Sequence, residues 1–187
     1  MHPDAEKLLT EYPNITVVEA FITDCNGAAR GKWLPIAKLS SLLTEGIKLP
    51  KSAIAQDAWG RDVPSIALDN GDIDGWCQAI PGSLKPVLGS HGVDQAQVVL
   101  TMFKDNGSPL LSDPRQVLAH VTQALEAKGL YPRVAIELEF NLFDRQTAGQ
   151  SIRDALPKAH QTGGNLYGLT ALDEHQALLE ALRHYFD

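Results

Sequence analysis

At 187 residues the chain has room for one domain or two small ones, and can bury roughly two thirds of the surface that its unfolded form exposes. Hydrophobic residues make up 44% and charged residues 21%, a globular balance, and a formal charge of −7 without any Lys/Arg cluster excludes nucleic acid or an anionic membrane as partner. The opening Met1-His2-Pro3-Asp4 lacks the basic-then-apolar pattern of a secretion signal, and no apolar run approaches the ~20 residues of a membrane span. Cys25 and Cys77 show no Cys-x-x-Cys spacing, so they are read as reduced thiols of a cytoplasmic protein, with a bridge between them left open.

In chain order, the first expected element is a strand over Ile15 to Asp24. Ile15, Val17 and Phe21 fall on one face and Thr16, Val18, Ala20 and Ile22 on the other, which reads as a strand buried on both sides. Asn26-Gly27 supplies the positive φ of a tight hairpin, and Arg30 to Leu34 returns as the partner strand. Pro35 opens a helix striped by Leu39, Leu42 and Leu43, with Gly46 placed to cap it. From Ile47 to Pro86 the Gly, Pro and Asp punctuation predicts mostly loop. A second strand runs from Gln97 to Phe103 and ends at the turn signal Lys104-Asp105-Asn106-Gly107.

Ser112-Asp113-Pro114 signals a helix start, and Val117, Leu118, Val121, Ala124 and Leu125 keep helical spacing as far as Lys128-Gly129. The change in composition over Gly107 to Asp113 sets the expected domain boundary, giving domains 1–107 and 108–187. A third strand is expected over Arg133 to Asp144, then a long loop over Arg145 to Gly168, then an amphipathic helix over Thr170 to Asp187. That helix ends without a Gly cap or a covering element, so the end of the chain reads as a truncation.

The third strand carries the chemistry. Val134, Ile136, Leu138, Phe140 and Leu142 share one face, and Glu137, Glu139 and Asn141 share the other. Two same-face carboxylates stand roughly 7 Å apart along a strand. They can each reach a different cation of a two-metal cluster, whose ions lie about 3.5–4 Å apart. Mg²⁺ or Mn²⁺ suits such oxygen ligands. The plainer alternative is a strand with one wet face, on which both glutamates are merely solvated.

Other signals are weak. Asp69 to Gly75 lacks the twelfth-position Glu of a calcium loop, and the six histidines show no metal-binding spacing. Gly31-Lys32-Trp33 lacks the rest of a phosphate-binding loop. Trp33, Trp59 and Trp76 read as core or loop anchors more readily than as an interface.

Glu137-x-Glu139-Phe140, followed by Leu142-Phe143-Asp144, resembles the Glu-x-Glu-Phe strand of the glutamine synthetase family. Phe21 to Gly27 resembles the hairpin that opens that family's N-terminal β-grasp domain, and Asp74 to Pro86 resembles its acidic, proline-rich loop. Leu100-Thr101-Met102 resembles the last strand of that domain, Asp113-Pro114-Arg115 the first helix of the catalytic domain, and Tyr167 to Asp173 the segment after the metal strand. Arg30 to Pro35 and Leu49 to Gly60 look most like the γ-glutamyl-polyamine synthetase branch.

The resemblance implies an α+β protein: a β-grasp domain followed by the opening helix and strand of a glutamine-synthetase-type catalytic domain. It implies an ATP-dependent ligase that joins glutamate to ammonia or an amine through γ-glutamyl phosphate, in homo-oligomeric rings built through the N-terminal domain. Glu137 and Glu139 would then ligate two Mg²⁺ or Mn²⁺ ions, and Asp57 would hold an ammonium-type substrate and assist its deprotonation. Asp57 as a plain solvated loop carboxylate stays an equal alternative. The family's remaining metal ligands, its His-x-His-like and Asn-Arg segments and its ATP-contacting arginines are expected beyond Asp187, so the isolated chain is expected to be catalytically incomplete. A non-enzymatic, shortened paralogue acting as a regulatory subunit is the second hypothesis, and an unrelated metal-dependent hydrolase the third.

Overall fold

The computed structural model describes residues 1–64, 71–89, 92–140 and 168–186. It divides into two compact units, Met1–Arg133 and Val134–Asp187. The first unit opens with a helix that sequence reading passed over, α1 (Pro3–Glu11). Its signals are local: His2 caps it by accepting from the Asp4 N–H, Pro3 occupies the first turn, and Ala5 and Leu8 form the buried stripe.

Alternation then becomes β1 (Val17–Thr23), and β2 (Ala29–Pro35) pairs with it antiparallel. Only one face of β1 is fully buried, the Val18, Ala20 and Ile22 face, while Val17, Glu19 and Phe21 are half-buried. The hairpin loop is the five residues Asp24 to Ala28 rather than a two-residue turn, and Gly27 takes the positive φ of 79°. The Asp24 carboxylate organises that loop: Oδ1 accepts from the Asn26 and Ala28 N–H groups and Oδ2 from Arg30 Nε, each at 2.8–2.9 Å. In β2, Gly31 is required by close approach, because a Cβ there would strike the Ala20 carbonyl across the ladder.

After a 3-10 turn over Ile36–Lys38 comes α2 (Leu39–Glu45), which buries Leu39 and Leu42 and is capped by Gly46 at φ 74°. The stretch expected to be mostly loop contains two strands, β3 (Ile47–Pro50) and β4 (Asp74–Ala79), and the start of a third, β5 (Lys85–Gly89). The expected strand at Gln97 proves longer, β6 (Gly92–Phe103). The sheet order is β2-β1-β6-β4-β3, with β5 also on β6. The β1–β6 pair is parallel and every other pair antiparallel. One core joins Val18, Ala20 and Ile22 of β1 to Ala96, Val98, Leu100 and Met102 of β6, under Leu39 and Leu42 of α2 and Ala5 and Leu8 of α1.

Helix α3 (Pro114–Glu126) starts where Ser112-Asp113-Pro114 predicts. Asp113 is buried and does more than cap. One oxygen takes the Arg115 N–H at 2.8 Å; the other takes Thr101 Oγ1 at 2.8 Å and the Met102 N–H at 2.7 Å. Gln116 Nε2 adds a bond to the same Thr101 hydroxyl at 2.8 Å. The composition break at 107/108 is thus spanned by hydrogen bonds, and the compact unit continues to Arg133.

In the second unit the expected terminal helix is two helices, α4 (Leu169–Glu174) and α5 (Gln176–Phe186), parted at His175. The expected strand over Arg133 to Asp144 is not observed: residues 133–140 carry no ladder, and the rest of it lies outside the described residues. Val134, Ile136, Leu138 and Phe140 are exposed, Ile136 by 83%. Alternation creates an apolar face but no hydrogen-bonding neighbour, and without a neighbour an extended run is not a strand. The expected loop over Arg145 to Gly168 likewise lies outside the described residues, apart from Gly168 itself. No described helix is long and apolar enough to cross a membrane.

Candidate functional site

Asp57 sits in the first unit, on the loop that follows the 3-10 turn Lys51–Ile54. Its side chain closes that loop on itself. Oδ1 accepts from the Trp59 N–H at 2.8 Å and the Arg61 N–H at 3.0 Å, and Oδ2 accepts from Arg61 Nε at 3.0 Å. The Gly60 N–H returns to the Asp57 carbonyl, and Gln56 bridges to Asp62. The Arg61 N–H, aided by the Trp59 N–H and the Arg61 guanidinium, outweighs partial desolvation and holds the Asp57 carboxyl below the ordinary aspartate range. A carboxylate held ionised in this way is a good anchor for a cation and a poor proton acceptor near neutral pH.

The loop is fastened from the side. Asn26, at the β1–β2 turn, donates its amide to the Gln56 and Asp57 carbonyls at 3.0 and 3.1 Å. Asn26 is itself held by Asp24, which burial alone would raise in pKa, but which the Ala28 and Asn26 N–H groups and Arg30 bring below its usual value. Sequence reading placed Asn26 only in the hairpin turn and Trp59 only among core or loop anchors, and passed over Arg61. Asp57-x-Trp59-x-Arg61 does carry a local signal, an Asp accepting from the backbone two and four residues on, with a cation at i+4. Trp59, expected to be an anchor in core or loop, is 79% exposed, with the Arg61 guanidinium 5.1 Å from its ring centroid.

Glu137 and Glu139 lie in the second unit, both exposed, on the segment without a ladder. Among the described residues no group of three or more His, Cys, Asp or Glu side chains comes together as a metal site. Two carboxylates alone fall short of the near-six oxygen ligands that Mg²⁺ demands, so the described residues do not fit a complete ion site. A shallow hollow of about 270 Å³ between α4 and α5, lined by Leu172, Gln176, Leu179 and Arg183 among others, contains none of the expected site residues.

Residues 111–187 match the glutamine synthetase catalytic domain. The chain is 38% identical over 145 residues to the gamma-glutamylputrescine synthetase PuuA of Escherichia coli (strain K12), a match covering 76% of this chain and 30% of that protein. It is 30% identical over 164 residues to the gamma-glutamylethanolamide synthetase GlnA4 of Streptomyces coelicolor, covering 86% and 32%. The chain therefore spans about a third of the length of these relatives. Among solved structures, ligand-free GmaS superposes with a TM-score of 0.64 at 17% identity, over 99% of this chain and 39% of that one, which is a likeness of fold. With sequence motif, catalytic-domain match and fold in agreement, the chain belongs to the glutamine synthetase family.

Proposed function

We propose that this chain is the N-terminal part of an ATP-dependent ligase that forms a γ-glutamyl amide from glutamate and an amine. The observation that carries the reading is the 38% identity to a γ-glutamylputrescine synthetase over 145 residues, 76% of this chain. Both curated relatives bear synthetase names, which favours the ligase over a shortened regulatory paralogue. In this reading residues 1–107 form a β-grasp domain; the β1–β2 hairpin, the α2 helix and the parallel return of β6 beside β1 support it. Residues 108–187 begin the catalytic domain, and rings of subunits form through the N-terminal domain.

Asp57 meets the amine. Its hydrogen bonds keep it anionic, so it orients and concentrates an ammonium rather than removing the proton itself. That narrows the expected role: binding stays with Asp57, and the base lies elsewhere. Glu137 and Glu139 each supply one ligand to a divalent-ion pair whose other donors are not among the described residues.

The test is amine-dependent phosphate release by the complete ligase that carries this segment. Asp57→Asn is expected to raise KM for putrescine about ten- to a hundredfold, the worth of a hydrogen bond to a charged group, and to leave KM for ATP unchanged. Glu137→Gln and Glu139→Gln are expected to lower kcat and to raise the Mn²⁺ concentration needed for activity. Unchanged putrescine dependence in Asp57→Asn would remove the amine role.

A further inference from the structure

The Asp57 loop already holds a cation of its own. Arg61 Nε donates to Asp57 Oδ2 at 3.0 Å, and the same guanidinium lies over the Trp59 ring at 5.1 Å. A carboxylate oxygen and an indole face converging on one positive charge are also what an alkylammonium needs: a charged acceptor and a quadrupole. Oδ1 is committed to two backbone N–H groups, so Oδ2 is the oxygen able to exchange one cation for another. Nothing grips the incumbent firmly. The Arg61 side chain is 72% exposed against 29% for Asp57, and exposed pairs of this kind are weakly held. The loop does not depend on the guanidinium for its shape, because Asn26 ties the Gln56 and Asp57 carbonyls and Oδ1 closes the turn.

We propose that Arg61 is a resident surrogate cation, occupying the Asp57–Trp59 cradle until the ammonium of an amine substrate displaces it. Trp59 and Arg61 thereby become specificity-determining residues: the ring supplies the second wall of the cradle, and the guanidinium sets a threshold that a weakly basic or uncharged amine does not cross. The proposal rests on the reading of Asp57 as the amine-facing residue.

The experiment titrates the 187-residue chain with putrescine at low salt and follows the Trp59 indole N–H by NMR, assigned by its loss in Trp59→Phe. Arg61→Gln removes the competitor and keeps the backbone donor, so it is expected to bind putrescine roughly three- to tenfold more tightly than wild type. Asp57→Asn is expected to abolish the shift. Equal or weaker affinity in Arg61→Gln, with Asp57→Asn still silent, overturns the surrogate-cation proposal and leaves the Asp57 reading standing. No putrescine-dependent shift in either wild type or Arg61→Gln overturns both.

Discussion

Replacing Asp113 by Ala probes the joint between sheet and helix. The carboxylate caps α3 through the Arg115 N–H and takes the Thr101 hydroxyl and the Met102 N–H from β6, while being 1% exposed itself. Loss of a helix cap costs about 1 kcal/mol. Stripping the carboxylate from the buried Met102 N–H adds about 1–3 kcal/mol, because no water replaces it at no cost. The expected destabilisation is therefore roughly 2–4 kcal/mol, or a fall in Tm of roughly 5–15 °C for a unit of this size. Asp113→Asn keeps an acceptor and is expected to lose about half as much. Urea unfolding, followed in parallel by far-ultraviolet circular dichroism and tryptophan fluorescence, reads both. A loss below about 0.5 kcal/mol in Asp113→Ala, the range of an ordinary surface substitution, would refute the anchoring role.

Asp24 makes stability pH-dependent with a defined sign. Its folded pKa lies below the unfolded value near 3.9, so on acidification the unfolded state takes up the proton first. The stability it supplies is whole above about pH 5 and is lost as pH falls toward the folded pKa; Asp24→Asn is expected to flatten that acid limb in urea titrations at pH 3–6. The two thiols are expected to separate on exposure to Ellman's reagent. Exposed Cys25 reacts at once, whereas Cys77, which burial pushes up to about 12, reacts only on unfolding; fast modification of both in the native protein would contradict the buried position of Cys77 on β4.

Much of the first unit was legible because its signals are local. The Val18, Ala20 and Ile22 alternation and the Asp113-Pro114 cap each lie within a few residues, and each marks the element it predicts. Strand β4 was missed for a tertiary reason. Gly75 breaks the strand pattern, yet it is the residue that fits, because the Met102 side chain fills the space where a Cβ would stand. The Glu137 segment erred in the opposite direction. Its alternation was as clear as that of β1, but alternation describes two faces and supplies no neighbour. Asp57 was singled out by resemblance alone. Its partner Asn26 lies 31 residues away, and only the folded loop joins them.

The parallel pairing of β1 with β6 has a kinetic consequence. Residues Val17 to Phe21 must find Gln95 to Val99 across more than seventy residues of chain, with no local hairpin to guide the register. Contacts of such sequence separation slow folding, so hydrogen exchange started early in refolding should show the β1–β2 hairpin protected before the central ladder. The thermodynamic cost of that long closure rises only as the logarithm of its length. Lengthening the connection between β3 and β4 would therefore change the final stability of this unit very little, provided the β6 partners stay intact, while slowing the closure of the β1–β6 ladder.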